Sequence, residues 1–153
     1  MRVALFQPDI APNVGAAMRL CACMGVGLDV IGPCGFPWDI NKIRKAGMDY
    51  MDAVDLIRHD SWDEFIALYP SSRLVLMTTK GHVAYTDFSF HEGDILLAGR
   101  ESAGVPDCVR DYVQNHDGGQ VYIPMRDHLR SLNIVNATSM ILGEALRQIK
   151  ICE

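Results

Sequence analysis

The feature that most constrains this chain is its alternation of short apolar runs with amphipathic segments that carry a helical stripe. Val3–Phe6, Leu28–Ile31, Arg73–Thr79, Asp94–Ala98 and Gln120–Ile123 read as strands. Between them lie helical patterns. Asn13–Met24 places Val14, Ala17, Met18 and Cys21 on one stripe and ends at Gly25 and Gly27. Asp39–Ala46 is a short basic helix closed by Gly47, and Ser61 with Glu64 forms a capping-box pattern opening a helix to Tyr69. Pro106 begins another helix. Ile134–Ile149 is the longest, with Ile134, Ala137, Ile141, Leu142, Ala145 and Ile149 in register. Tyr50–Ile57 is read as a further strand. The expected class is α/β, a single domain over residues 1–153 with a mostly parallel sheet flanked by helices.

Composition narrows the function. The 153 residues are 49% hydrophobic and 22% charged, so they can bury a core but leave no room for a second sizeable domain. No apolar run reaches the ~18–20 residues that a membrane span needs. The opening MRVALFQPD is expected to be a strand rather than a signal peptide, which implies a cytoplasmic protein. Five cysteines at 21, 23, 34, 108 and 152 lack zinc-ligand spacing and are expected to be free thiols, mostly buried, with no metal. The net charge is −5, from 14 Lys and Arg against 19 Asp and Glu, which argues against a generic nucleic-acid binder but leaves a local basic site open.

In parallel sheets ligands bind at the carboxyl ends of strands, and three loops there carry unusual chemistry. The first, Gln7–Arg19, holds two prolines, Asn13 as a possible helix cap, and Arg19 about 140° around the helix from Val14. The second, Leu96–Pro106, has Gly99 and Gly104 around Glu101. It matches neither a dinucleotide fingerprint nor a P-loop, and R-x-S-x-G at Ser102 misses the hydrolase elbow. The third, Ile123–Asn136, gathers Arg126, His128 and Arg130 with Ser131, Asn133 and Asn136. Ser131 or Asn133 could be a helix cap, yet so many polar groups exceed what a cap needs.

Taken together, PNVGAAMRLCA, GFPWD at 35–39, RKAGMDY at 44–50, TTKG at 78–81, GRESAGVP, and IPM…RSLN…NA at 123–137 resemble the SPOUT superfamily of α/β-knot methyltransferases. The resemblance spans essentially the whole chain and is nearest to the small tRNA 2′-O-methyltransferases of the wobble nucleotide, cytidine or modified uridine. It implies a C-terminal trefoil knot, a homodimer, the tRNA anticodon stem-loop as partner, and S-adenosylmethionine as cofactor, released as S-adenosylhomocysteine. Carried over, cofactor binding falls to Met77, Gly99, Glu101, Ile123, Met125, Ser131 and Leu132. Catalysis falls to Arg19 and Asn13 with Ser131 and Asn133, Arg19 acting either as a transiently depressed base or as a phosphate clamp. RNA contacts fall to Arg19, Lys42, Arg44, Lys45, Arg126 and Arg130, expected to form a positive groove across the dimer on a negative body. Arg100 and Ala103 exchange the usual positions of an arginine in such loops, and Leu129 replaces a usual serine. Methylation at another tRNA or rRNA site, or RNA binding without catalysis, are the alternatives.

Overall fold

The computed structural model describes residues 1–150, and the side chains of all of these except residues 44, 46–49, 51 and 150. Arg44 and Cys152, named above, therefore fall outside the described side chains. Seven strands form one parallel sheet in the order β3-β2-β1-β6-β4-β7-β5. They are β1 (Arg2–Phe6), β2 (Gly27–Ile31), β3 (Leu56–His59), β4 (Leu74–Met77), β5 (Val83–Ala84), β6 (Ile95–Ala98) and β7 (Gly119–Tyr122). Among the described residues four α-helices connect strands, α1 (Ala11–Met24), α2 (Ile40–Gly47), α3 (Trp62–Leu68) and α4 (Asp107–Asn115), and α5 (Ile134–Lys150) follows the last strand.

The strands divide their side chains between two cores, as the pleat requires. Val3, Leu5, Leu96 and Val75 join Val14, Met18 and Cys21 of α1 and Ile141, Leu142 and Ala145 of α5 on one face. Ala4, Phe6, Ile95, Leu97, Leu74 and Leu76 pack with Phe65 of α3 and Val109 and Val113 of α4 on the other. Strands β1, β4 and β6 are thus covered on both sides, which is why their apolar residues do not alternate with polar ones.

Local signals act where expected at most ends. Gly25 closes α1 in the left-handed conformation (φ 68°). The Ser61 Oγ accepts from the Glu64 amide at 3.2 Å, while the Glu64 carboxylate reaches back to the Asp60 amide at 2.7 Å. Two expected elements need correction, and one short strand was not anticipated. The segment 48–53 is a 3-10 helix, and the strand begins only at Leu56. β5 has two residues, too few to leave a pattern. Helix α1 begins before Asn13, at Ala11 with Pro12 in its first turn, so Asn13 does not cap it. Among the described residues Cys21, Cys23, Cys34 and Cys108 are free thiols, but they are not mostly buried: Cys23 and Cys108 are exposed, whereas burial pushes the Cys21 thiol up to about 12.

One interior polar network went unread in the sequence. Asp29, fully buried in β2, accepts from Arg2 Nε at 2.5 Å and from the Tyr69 hydroxyl at 3.0 Å, and lies 2.7 Å from His59 Nε2. Desolvation and the Asp29 carboxylate push the Tyr69 hydroxyl up to about 12. This charge cluster pins β1, β2 and β3 at the edge away from the site.

The sheet order places the functional cleft. Successive strands β1, β2 and β3 run outward one way, and β6 and β4 lie on the other side of β1, so loops leaving β1 and β6 diverge and open a crevice. On the far side, β4 and β5 flank β7, yet only Thr78–His82 connect them. This short connector crosses β7: the Thr78 amide donates to the Val121 carbonyl at 3.0 Å, and a Cβ on Gly81 would lie 2.6 Å from the Val121 carbonyl carbon. Only glycine allows that approach. Among the described residues no helix is long and apolar enough to cross a membrane.

Candidate active site at the carboxyl ends of the strands

All three polar loops converge on one cavity of about 660 Å³ beyond β6, β4 and β7. That volume lies within the ~300–1,000 Å³ typical of small-molecule sites. Its floor is apolar, from Leu76, Val121 and Ile141, and its rim is polar, from Thr78, Glu101, Ser131 and Asn133. Met77, Gly99, Glu101, Ile123, Met125, Ser131 and Leu132 all line it, as do Asn13 and Arg130. The mixed lining fits a ligand with both an apolar body and polar ends.

A directed chain of hydrogen bonds ties the loops together. Asn133, at the start of α5, is that helix's cap: its Oδ1 accepts from the amides of Val135 and Asn136 at 2.9 and 3.3 Å. Its amide nitrogen donates to Asn13 Oδ1 at 3.2 Å, and Asn13 Nδ2 donates to Glu101 Oε1 at 2.9 Å. The second Glu101 oxygen accepts from the Asp9 amide at 2.9 Å. Asp9 in turn accepts from the Ser102 hydroxyl and amide at 2.7 and 2.9 Å, which hold its carboxyl below the usual range. Loop one is thereby fastened to loop two by four hydrogen bonds, and loop three to loop one by one.

The second loop is a tight turn. Arg100 and Gly104 exchange backbone hydrogen bonds at 2.9 Å, Gly104 has φ 64°, and a Cβ on Gly99 would lie 2.6 Å from the Gly104 carbonyl carbon. Both glycines are therefore structural requirements of the turn. Arg100 lines the cavity with its guanidinium carbon 5.6 Å from the Phe6 ring centre, and its Nε is buried with no hydrogen-bond partner.

Other named residues lie outside the cavity. Arg19 sits on the exposed face of α1, with its guanidinium carbon 5.5 Å from the Tyr50 ring centre. Lys42 and Lys45 are exposed on α2, and Arg126 is exposed in the third loop. His128, also exposed there, holds φ 74°. Among the described residues no group of three or more His, Cys, Asp or Glu side chains could hold a metal ion. Sequence reasoning missed Asp9 and Ser102, whose pairing joins positions 93 apart in the chain.

A wholly parallel sheet with a mixed apolar and polar cavity at the carboxyl ends of its strands defines an α/β domain with room for a nucleotide-sized ligand. The chain belongs to the SpoU rRNA Methylase family, which it matches over residues 1–143. It is 50% identical over 149 residues to a tRNA (cytidine(34)-2′-O)-methyltransferase of Beijerinckia indica, covering 96% of this chain and 91% of that one. It overlays a structure described as "Structural insights into the 2-OH methylation of C/U34 on tRNA" with a TM-score of 0.88 and 35% identity, over 96% of this chain and 94% of the other. It also overlays the SpoU methyltransferase AviRb of Streptomyces viridochromogenes in complex with AdoMet, with a TM-score of 0.88 and 27% identity, over 100% of this chain and 61% of that one.

Proposed function

We propose that this protein transfers a methyl group from S-adenosylmethionine to the ribose 2′-hydroxyl of the wobble nucleotide, position 34, in tRNA. The observation that carries this reading is the 50% identity, over nearly the whole of both chains, to a relative named for that reaction. The cavity supports it independently, with room for the cofactor and a rim of Glu101, Ser131 and Asn133. Met77, Gly99, Ile123, Met125 and Leu132 would enclose the cofactor's apolar parts, and Glu101 and Ser131 would meet its polar ones. When bound, S-adenosylmethionine supplies an electrophilic sulfonium methyl carbon. The transfer forms the O–CH₃ bond, breaks the S–CH₃ bond and releases the 2′-hydroxyl proton to water or a base.

The chain's own residues orient the substrate. Asn13 and Asn133, bonded to each other at the rim, would position the ribose. Arg19, on the exposed face of α1 outside the cavity lining, is better placed to clamp a substrate phosphate than to accept a proton. A guanidinium is a permanent cation that gives up its proton only reluctantly, which favours the same role. Arg19→Ala is expected to lower kcat/KM for tRNA by about 100-fold, with Arg19→Lys only partly restoring it, because Lys keeps the charge and loses the fork. Near-wild-type turnover of Arg19→Ala would remove Arg19 from the mechanism.

Lys42 and Lys45 with Arg126 and Arg130 supply exposed positive charge on a body of net charge −5, which suits an RNA partner held by local patches. Exposed Leu129 (67%) and Leu132 (42%) beside the cavity suit a homodimer interface. The connector crossing β7 supports the C-terminal trefoil knot. The reading places the protein in the cytoplasm with its tRNA. Purified protein with radiolabelled S-adenosylmethionine and tRNA, followed by mapping of 2′-O-methyl nucleotides, tests it. Methylation at position 34 is expected, and exclusive modification elsewhere overturns it.

A further inference from the structure

A second cavity, of about 310 Å³, opens at the carboxyl ends of β2 and β3, and the methyl transfer makes no use of it. Phe36 and Trp38 line it as nearly parallel rings, with centroids 6.5 Å apart and an interplanar angle of 22°. The exposed Arg58 lays its guanidinium carbon 4.0 Å from the Trp38 ring centre. The result is a ladder of three flat groups, Phe36, Trp38 and Arg58, around a half-open space. Asp60 adds a carboxylate to the lining, an acceptor for an exocyclic amine.

This wall is attached to the active-site rim. The Gly35 amide donates to the Pro8 carbonyl at 2.9 Å, and a Cβ on Gly35 would lie 3.0 Å from the Asp9 Cα. Asp9 is the residue whose amide Glu101 holds, so the ladder and the first cavity share one loop. Immediately after Trp38, α2 exposes Lys42 and Lys45. Stacking planes beside exposed cations are the combination that receives unpaired nucleotides, since every base offers a flat face and every linkage a phosphate.

We propose that the Phe36–Trp38–Arg58 wall is a subsite for an unpaired nucleobase of the RNA substrate, on the same strand as the methylated nucleotide, with Lys42 and Lys45 meeting the adjoining phosphates. It rests on the RNA-methylation reading and adds a specificity determinant to it. Paired bases have no free faces, so the subsite selects loop nucleotides over duplex.

The test uses the full protein with a tRNA stem-loop and with a fully paired RNA duplex. Trp38→Leu is expected to raise KM for the stem-loop about 5- to 100-fold, Trp38→Phe about threefold or less, with kcat within about twofold in both. Cofactor affinity by calorimetry should stay at the wild-type value. Trp62, the other tryptophan, packs against Phe6, Phe65 and Tyr112, so quenching of fluorescence by the stem-loop should report Trp38 and vanish in Trp38→Phe. If Trp38→Leu folds poorly, Arg58→Gln on the exposed side takes its place, with an expected KM rise of about 3- to 10-fold. An unchanged KM, or equal quenching by duplex, overturns the subsite. So does a fluorescence change that follows protein concentration without RNA, because a second copy would then cover the wall. Failure of the underlying reading shows differently, as no methyl transfer by the wild-type protein, and stem-loop quenching still decides the wall in that case.

Discussion

Replacing Glu101 by Gln keeps the shape of the side chain and removes its charge. The hydrogen-bond chain at the rim makes that small change costly. The backbone amides of Val135 and Asn136 require Asn133 to present its oxygen to them. Asn133 must then donate to Asn13, which must in turn donate to Glu101, while the Asp9 amide donates to the other carboxylate oxygen. Both groups facing Glu101 are donors, and only a carboxylate accepts from both. A Gln at 101 sets its own amide nitrogen against one of them. Flipping Asn13 relieves that contact and moves the conflict to Asn133, whose orientation the helix holds. One charge-assisted bond is lost and the other becomes neutral, about 2–4 kcal/mol in vacant-partner terms. Glu101 is half-buried, so water recovers part of this, leaving about 1–3 kcal/mol. The expected result is a 5- to 150-fold weaker cofactor Kd by calorimetry, at about 1.4 kcal/mol per tenfold. The melting temperature should fall by about 2–4 °C per kcal/mol that reaches global stability. A Glu101→Gln protein within about twofold of wild type in Kd and in transfer rate would refute the directed-network argument.

Gly99→Ala drives a Cβ to within 2.6 Å of the Gly104 carbonyl carbon, so it should abolish measurable cofactor binding, whereas Gly93→Ala, with nothing within 4 Å of its Cβ, should leave it unchanged. Asp29→Asn strips a buried acceptor from Arg2 and should cost about 2–4 kcal/mol, less than the full loss of a buried pair because Arg2 keeps Asp55. A urea melt with a lowered midpoint and an unchanged slope checks it. The Asp9 carboxyl, held low by the Ser102 hydroxyl and amide, stabilises the joint between the first two loops only while it is ionised. Its folded pKa lies below its unfolded one, so this contribution is complete above about pH 5 and disappears as pH falls through the folded value. The stability difference between wild type and Asp9→Asn should therefore be flat at neutral pH and close in strong acid.

The strands and helices were legible because burial leaves a period. Val3–Phe6 of β1 and all of β6 are apolar because the sheet is covered on both faces there, and Gly25 ended α1 as a left-handed cap would. What failed was short or locally ambiguous. Two-residue β5 carries no period, and the 3-10 turn at 48–53 mixes apolar and acidic residues much as a strand would. Asn13 looked like a cap because its chemistry suits one, and the structure uses that chemistry on Glu101 instead. The pairing of Asp9 with Ser102 left no signal, because an Asp and a Ser in separate polar loops are ordinary until the fold brings positions 93 apart together.

By itself the sequence determined the α/β class, the three polar loops and, through motif order, the family. These are local or near-local properties: periodicity, turn chemistry and residue type are written into each segment. Only the tertiary structure decided the strand order, the crossing of the 78–82 connector over β7, and the convergence of residues near 9, 101 and 133 on one rim. Those depend on which strands become neighbours, and parallel pairing between distant segments leaves no mark on the residues that flank it. The same reason separates the two arginines of interest. Arg100 and Arg19 are equally polar in the sequence, and the sheet alone turns one into the cavity and leaves the other on the outer face of α1.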